Sequence, residues 1–330
     1  MTPPPERAAP GPLDHALRAR VAVPLLALLV LLPVIAEALD EGFYVGVASR
    51  MLIFALASTS LNLILGFGGM VSFGHAAFVG MGAYTVGILM RDGVASAWIA
   101  WPAAAAVGGL FAFVTGLVSL RTRGVYFIMI TLAFAQMLFY LMSSLEAYGG
   151  DDGLSLAARS SLGPGLDLAD DTRFYYVVLA IGVVIFIGIA RLLNARFGHV
   201  LQAIRENETR MAALGFAVYR CKLAAFTLAG AIAGLAGALL ANQTGFVSPA
   251  MMQWSQSGIL LVMVILGGVG HLYGGLAGAA AFLLIEEAAL SYTIHWQFIL
   301  GAVLLAVVLL APNGLMSLAR RTARGAKGAP

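Results

Sequence analysis

Basic side chains are concentrated in every second connection between about ten apolar stretches, and this alternation constrains the fold more than any other feature. When the connections are assigned alternately to two sides of a membrane, Arg91, Arg159 and Arg173 lie on one side, and Arg50 lies inside a stretch. Cytoplasmic loops retain Lys and Arg during insertion, so the basic side is predicted to be cytoplasmic, with both termini. The other fifteen of the 19 Lys and Arg residues lie there: Arg7, Arg18, Arg20, Arg121, Arg123, Arg191, Arg196, Arg205, Arg210, Arg220, Lys222, Arg320, Arg321, Arg324 and Lys327.

The composition supports a multi-pass membrane protein. Hydrophobic residues make up 61% of the 330-residue chain and charged residues 11%, so lipid must cover part of the apolar surface. The 39 glycines indicate closely packed and interrupted helices. The net charge of +3 follows the topology and forms no single patch, so we expect no nucleic-acid partner.

The apolar stretches predict an all-α fold of about ten transmembrane helices, some of them broken. Several stretches are shorter than the ~20 residues that cross a bilayer, which favours discontinuous helices enclosed in protein. We expect a disordered cytoplasmic tail over 1–20, a transmembrane domain over 21–312 and a basic cytoplasmic tail over 313–330. Ala36-Glu37-Ala38 resembles a signal-peptidase site, although an uncleaved first span is preferred. The predicted spans are 21–39, 43–66, 76–90, 96–119, 124–144, 173–193, 221–242, 256–271, 275–291 and 296–312.

A faint internal repeat relates the two halves of the chain. The tetrapeptide at 69–72 (GMVS) matches that at 245–248 (GFVS), and Gly82 falls on Gly258 at the same offset. The spans before the two tetrapeptides run in opposite directions, which predicts inverted five-helix repeats over 21–144 and 173–312, although chance matches between Gly-rich segments remain the alternative. Paired helix breaks in such repeats indicate a substrate pathway.

A few polar side chains interrupt the predicted spans. Ser72 and His75 belong to a Gly-rich segment that either lines a pathway or forms a turn needed only for packing. Ser58 and Asn62 share one helix face, where hydrogen bonds between helices are the preferred interpretation. We expect Arg50 to reach outward to the interface, and two adjacent carboxylates of the ninth span, Glu286 and Glu287, to lie near its outer end.

The basic connection 194–220 contains the clearest functional signal, a predicted amphipathic helix over 198–215. Its apolar stripe consists of Val200, Leu201, Ile204, Met211 and Leu214. Gly215 is suited to end the helix. Such a helix rests either on the membrane surface or in the groove of a partner protein, and the residues alone leave both possibilities open.

No pattern indicates catalysis. The five histidines lack Cys or carboxylate partners at metal-ligand spacing, so no metal site is expected. The phosphate-binding pattern G-x-x-x-x-G-K-[ST] is absent, so we expect no cofactor on this chain and ATP hydrolysis only on another polypeptide.

Several motifs together resemble the permease subunits of branched-chain amino-acid ABC importers, and the M-type subunit more than its H-type partner. They are GGMVSFGHAAFVGMGAY (68–84), RGVYFIMITLAF (123–134), GGDDGL (149–154), GHVLQAIRENETRMAALGF (198–216), FVSP (246–249) and LGGVGHLYG (266–274). The resemblance covers about residues 45–312. It implies a bacterial inner-membrane complex with an H-type permease, two cytoplasmic ATPases that carry ATP and Mg²⁺, and a periplasmic solute-binding protein.

The resemblance also implies residue roles. The helix over 198–215 would be the coupling helix that docks on an ATPase, and segments 66–75 and 245–249 would approach the pathway. The implied coupling residues are Ala203, Ile204, Arg205, Glu206, Asn207, Glu208, Arg210 and Gly215. The candidate pathway residues are Ser58, Asn62, Gly69, Ser72, Gly74, His75, Ser248 and Pro249.

The expected function is ATP-driven import of a branched-chain or related small amino acid by alternating access. An ion-coupled secondary transporter and a passive channel are the alternatives from other classes. Members of the resembled family also import urea, short amides and aromatic acids, so the substrate stays open.

Overall fold

The computed structural model describes residues 19–38, 42–163, 168–290, 295–310 and 314–315, so nearly all of both predicted tails lies outside the described residues. The described chain is almost entirely helical, which confirms the all-α prediction. The helices are α1 (Ala19–Ala38), α2 (Phe43–Asn62), α3 (His75–Arg91), α4 (Ala97–Ser119), α5 (Val125–Ser144), α6 (Asp171–Asn194), α7 (Arg196–Glu206), α8 (Glu208–Ala213), α9 (Val218–Thr244), α10 (Trp254–Gly267), α11 (Gly274–Leu290) and α12 (Trp296–Leu310). Short antiparallel strands β1 (Leu154–Ser155) and β2 (Phe246–Val247) pair with each other.

Five of the described helical segments are long and apolar enough to cross a membrane: Phe43–Phe67, Ala97–Ser119, Val125–Ser144, Asp171–Asn194 and Val218–Thr244. Each of the other predicted spans contains a further helix of 14 to 20 residues. Large apolar side chains on the outside of the bundle are exposed, as Tyr126 (76%) and Phe298 (83%) show. This surface is suited to contact with lipid.

Helix α9 lies at the centre of the bundle, where it packs closely against α2, α3 and α4. Glycine makes this possible, because a Cβ atom on Gly82 would overlap the Gly234 carbonyl, and one on Gly237 would overlap the Val79 carbonyl. Gly230 and Gly234 face the Gly108 region of α4 in the same way, as their spacing predicts. Gly278 of α11 likewise packs on the Met263 carbonyl of α10.

Two helix breaks lie at the matched segments of the sequence. Helix α2 continues as a π-helical turn (Leu63–Phe67), and α3 begins only at His75. After α9, strand β2 and a 3₁₀ helix (Pro249–Met252) precede α10. Gly69 and Gly245, which are equivalent in the proposed repeat, both adopt positive φ, at 69° and 64°. This backbone conformation favours glycine and explains its presence at both positions.

The basic connection forms two helices, so the prediction of a single helix over 198–215 is wrong. The chain is extended at Asn207, where φ is −155°, and the Asn207 side chain accepts a hydrogen bond from the Arg210 amide at 2.8 Å. Asparagine is a favoured N-cap, so the residue ends α7 and starts α8. Gly215 follows α8 with φ of 85°, as predicted for a residue that ends a helix.

The described part of the acidic connection 145–172 packs on the bundle. It contains 3₁₀ turns at Glu146–Tyr148 and Gly150–Asp152, followed by β1. The Arg159 guanidinium donates to the carbonyls of Leu168 (2.9 Å) and Asn242 (3.1 Å) and lies 4.7 Å from the centre of the Phe174 ring. These bonds attach the described part of the connection to the ends of α6 and α9.

Candidate translocation site and coupling helices

The π-helical turn at the end of α2 leaves a backbone carbonyl free to bind another element. The Met70 amide donates to the Ile64 carbonyl at 2.9 Å, whereas a regular α-helix would direct it to Gly66. The Gly66 carbonyl instead accepts a hydrogen bond from the Arg205 guanidinium of α7. The side chain of Arg205 also lies against Gly69, where a Cβ atom would be 3.0 Å from its Cγ.

Asn62 joins the same region to the turn before α11. Its Nδ2 donates to the His271 carbonyl at 2.8 Å, and its Oδ1 accepts from the Gly270 amide at 3.0 Å. Gly66 packs directly on the backbone of Gly270. The inner junction, defined as Asn62, Gly66, Arg205, Gly270 and His271, therefore connects α2, α7 and the turn before α11.

Three of the candidate pathway residues, Ser58, Gly74 and His75, lie in contacts between elements of the bundle, and Ser72 is buried in a local turn beside them. Ser58 Oγ donates to the Gly275 carbonyl at 2.9 Å, and His75 Nε2 lies 2.7 Å from the Ser60 hydroxyl. The Ser72 hydroxyl accepts from the Gly74 amide at 3.3 Å. All of these side chains are buried, and a Cβ atom on Gly74 would overlap the Thr131 carbonyl. In this conformation these residues pack inside the bundle, which is the alternative that the sequence left open beside lining a pathway.

A cavity of about 460 Å³ lies between α2, α3, α9 and α10. The second helix break contributes Ser248 to its wall, and Ala76 comes from the first turn of α3, directly after the first break. Ser248 is thus a candidate pathway residue that faces open space, while Pro249 is buried beside it. Cavities of a few hundred cubic ångströms hold small solutes. Its wall consists of Arg50, Ile53, Phe54, Ala57, Ala76, Val79, Ala236, Leu240, Gln243, Thr244, Ser248, Ala250, Met251, Gln256 and Leu260.

The cavity and the inner junction lie at opposite ends of the bundle. On α2, Arg50 of the cavity and Gly66 of the junction are separated by about 24 Å at ~1.5 Å per residue. On α9, Gln243 is near the far end of a helix that begins at Val218, just after α8. Movement of α7 and α8 must therefore be transmitted along α2, over the ~14 Å between Gly66 and Ala57, before it reaches the cavity wall.

Arg50 forms an ion pair that the sequence analysis did not predict. Its Nη2 lies 3.6 Å from Oε1 of Glu286 on α11, and its Cζ lies 5.7 Å from the centre of the Phe54 ring. The Arg50 side chain is 42% exposed and that of Glu286 only 12%. The residues are far apart in sequence, and no local spacing signal pairs them.

The coupling residues divide into anchors and an exposed surface. Ile204 is buried and Ala203 half-buried, whereas Glu208 binds Lys222 Nζ at 2.7 Å and Arg123 Nη2 at 3.3 Å. Exposed residues form what we call the docking face: Glu206, Asn207, Arg210, Leu214 and Phe216. The last two are large apolar side chains that are 66% and 45% exposed. Exposed apolar side chains flanked by polar ones suit a protein partner.

Comparison with known proteins shows which family the chain belongs to. Residues 43–308 match the family described as "Branched-chain amino acid transport system / permease component". The chain belongs to this family. The match spans the cavity, the inner junction and the docking face, and it confirms the family resemblance inferred from the motifs.

Individual relatives agree with the assignment to this permease family. The chain is 29% identical over 320 residues to the high-affinity branched-chain amino acid transport system permease protein LivM of Salmonella typhimurium, covering 90% of this chain and 75% of the relative. The Escherichia coli LivM is likewise 29% identical, with the same coverage. The autoinducer 2 import system permease protein LsrC of Klebsiella pneumoniae is 34% identical over 137 residues, which is 39% of this chain and 40% of that protein. No solved structure matches the chain.

Within the part of the chain that the structure describes, no three His, Cys, Asp or Glu side chains are grouped where they could hold a metal ion.

Proposed function

We propose that this chain is the M-type transmembrane subunit of an ATP-driven importer that carries a branched-chain or related small amino acid from the periplasm to the cytoplasm. ATP and Mg²⁺ would be held by two partner ATPases, and an H-type permease and a periplasmic binding protein would complete the complex. The observation that carries the proposal is the hydrogen bond between Arg205 and Gly66, because it joins the helices suited to docking with an interrupted membrane helix.

The proposed topology has about ten crossings in a bacterial inner membrane, with both termini in the cytoplasm. Five long helical segments would supply half of them, and α1, α3, α10, α11 and α12 would supply the others. The equivalent positive φ angles of Gly69 and Gly245 support inverted repeats over 21–144 and 173–312. The transmembrane domain would extend over 21–312, between a cytoplasmic tail at 1–20 and a basic one at 313–330.

The docking face would lie in a groove of one ATPase. Its apolar residues Leu214 and Phe216 would supply buried area, and Glu206 and Arg210 would supply orientation. Movement of α7 would then pull on the Gly66 carbonyl through Arg205 and on Gly270 through backbone contact. This arrangement supports alternating access driven from the cytoplasmic side.

The cavity would receive the solute from the binding protein. It lies at the end of the bundle opposite the docking face, which is the periplasmic end in this topology. The path would continue between the two helix breaks. Ser72 and His75 lie at the first break, and Ser248 and Pro249 lie at the second. Ser58, Asn62, Gly69 and Gly74 would line it only after the inner junction and its neighbours rearrange.

Reconstitution tests the proposal directly. The full complex in proteoliposomes, supplied with the binding protein, is expected to accumulate labelled leucine, isoleucine or valine only when ATP is hydrolysed on the cytoplasmic side. Urea, short amides, aromatic acids and autoinducer 2 complete the solute panel. Accumulation by this chain alone on a proton or sodium gradient would instead establish a secondary transporter, and leak without any gradient coupling would establish a channel.

A further inference from the structure

The cavity wall is polar at one end and apolar at the other. Each of three helices contributes a polar side chain near the outer end and an apolar one further in: Arg50 and Ala57 on α2, Gln243 and Ala236 on α9, Gln256 and Leu260 on α10. The members of each pair are one or two helical turns apart. A solute with a polar head and a short apolar tail fits this gradient.

Arg50 is the single formally charged side chain in the wall. Its contact with Glu286, at 3.6 Å, is longer than a hydrogen bond, and Glu286 approaches from α11, outside the wall. Among the residues that the structure describes, no acceptor hydrogen-bonds to the guanidinium. Because a guanidinium has five N–H donors in a planar fork, Arg50 keeps donors for a second carboxylate on the cavity side.

Gln243 offers the complementary group. Its Nε2 donates to the Gly46 carbonyl of α2 at 2.6 Å, which fixes the orientation of the amide. Its Oε1 is buried and has no partner within the described chain. A buried acceptor without a partner is unfavourable, and a cationic donor on a ligand would satisfy it.

We propose that Arg50 and Gln243 form a binding site for a small zwitterion. Arg50 binds the carboxylate, Gln243 Oε1 accepts a hydrogen bond from the ammonium group after a small shift that exposes this buried atom to the cavity, and the side chain of the solute extends toward Ala57, Ala236 and Leu260. The substrate class rests on the proposed function, and the site narrows it, since urea and short amides lack the carboxylate that Arg50 would bind.

Cysteine labelling tests the charge of the cavity without any transport. In the full-length chain with Cys221→Ser, Gln256→Cys places one thiol on the wall, to be modified with an anionic or a cationic methanethiosulfonate reagent and read by intact mass. The measured quantity is the ratio of the labelling rate with the anionic reagent to that with the cationic reagent. We expect the positive charge of Arg50 to raise this ratio, and Arg50→Gln to reduce it about threefold to tenfold, because one unit charge a few ångströms away is removed. Glu286→Gln is expected to raise the ratio.

Controls separate charge from misfolding. Ser255→Cys is one residue away and outside the wall, so its ratio is expected to stay the same in every variant. Arg50→Lys keeps the charge and is expected to keep the preference at Gln256→Cys. If Arg50→Lys lost the preference as Arg50→Gln does, or if Arg50→Gln had no effect, the charged site would be ruled out.

Ligand protection identifies the groups that are recognised. L-leucine and isocaproate are expected to slow labelling of Gln256→Cys, with leucine effective at lower concentration, while isoamylamine, which lacks the carboxylate, does not protect. Arg50→Gln is expected to abolish protection. Equal protection by isoamylamine and leucine would overturn the proposal. Because labelling needs neither ATP nor a partner, its result stands whether or not ATP-driven uptake is found, and a negative result here leaves that uptake unaffected.

Discussion

Arg205 donates a hydrogen bond to the backbone carbonyl of Gly66, and this bond joins α7 to the interrupted end of α2. The carbonyl is available because the Met70 amide, which follows the π-helical turn, donates to the Ile64 carbonyl instead of Gly66. Arg205 and the adjacent Glu206 are both exposed, but Arg205 hydrogen-bonds to the inner junction and is therefore expected to transmit force within the chain, whereas Glu206 belongs to the docking face. The two neighbours are expected to have separable roles.

Substitution of these neighbours tests that separation. Arg205→Gln is expected to leave assembly with the ATPases intact, lower the free energy of unfolding by about 1–2 kcal/mol, and uncouple ATP hydrolysis from uptake, because a charged hydrogen bond to the inner junction is lost. Glu206→Gln is expected to weaken ATPase binding with no change in melting temperature. Co-purification, thermal melting in detergent and ATPase activity in proteoliposomes measure these effects.

A matched control for both variants is Arg210→Gln, which removes an exposed guanidinium from the docking face but leaves the inner junction intact. It is expected to resemble Glu206→Gln in its effect on binding. Identical behaviour of Arg205→Gln and Glu206→Gln in all three measurements would contradict a division between transmission and docking.

Asn62 is expected to contribute more to stability than Ser58. Asn62→Leu leaves the Gly270 amide and the His271 carbonyl without their Asn62 hydrogen bonds, which is expected to cost about 2–4 kcal/mol. Ser58→Ala removes one donor to the Gly275 carbonyl and is expected to cost about 1 kcal/mol. Thermal melting of the two purified variants in the same detergent shows which one loses more stability. An equal loss of stability in both variants would show that Asn62 does not hold the inner junction.

Helices and their packing could be predicted from the sequence to a large extent. Apolar runs placed a helix in each predicted span, and the four-residue spacing of Gly230 and Gly234 predicted close packing, because both signals are local. The break at Asn207 was missed even though a signal was present. Asn207 followed directly by Glu208 is a typical helix start, because Asn is a favoured N-cap and acidic residues are common in the first turn. The apolar stripe runs through both helices and suggested a single one.

The candidate site was predictable only in part. Ser58 and His75 were singled out as polar residues in apolar segments, yet a buried polar group needs a partner, and theirs lie on neighbouring segments of the bundle. Gln243 and Gln256 belong to no motif, and the ion pair between Arg50 and Glu286 depends on a distant contact between α2 and α11. Such pairings follow from tertiary structure, which one sequence does not specify locally.

Gly237 is expected to tolerate no side chain. A Cβ atom there would overlap the Val79 carbonyl of α3, which is backbone and cannot rotate away. Gly237→Ala is expected to cost about 3 kcal/mol from overpacking, partly offset by a helix-propensity gain of about 1 kcal/mol. Gly188→Ala in α6, where a Cβ atom meets nothing within 4 Å, is the matched control and is expected to be neutral or slightly stabilising. Equal melting temperatures for the Gly237→Ala and Gly188→Ala proteins would disprove the close approach of α3 and α9.

The two cations that bind Glu208 are expected to contribute unequally to the attachment of α8. Lys222 is 15% exposed and lies 2.7 Å from the carboxylate, so its charge is poorly screened and its loss leaves a half-buried carboxylate with a weaker partner. Arg123 is 72% exposed and 3.3 Å away, and pairs of that kind contribute ~0–1 kcal/mol. Lys222→Met is therefore expected to lower the melting temperature more than Arg123→Met. Raising NaCl to 0.5 M is expected to abolish the small Arg123 effect and to leave most of the Lys222 effect, because salt screens exposed charges more than partly buried ones. A larger effect for Arg123→Met, or equal loss of both effects in salt, would show that exposure does not determine the strength of these ion pairs.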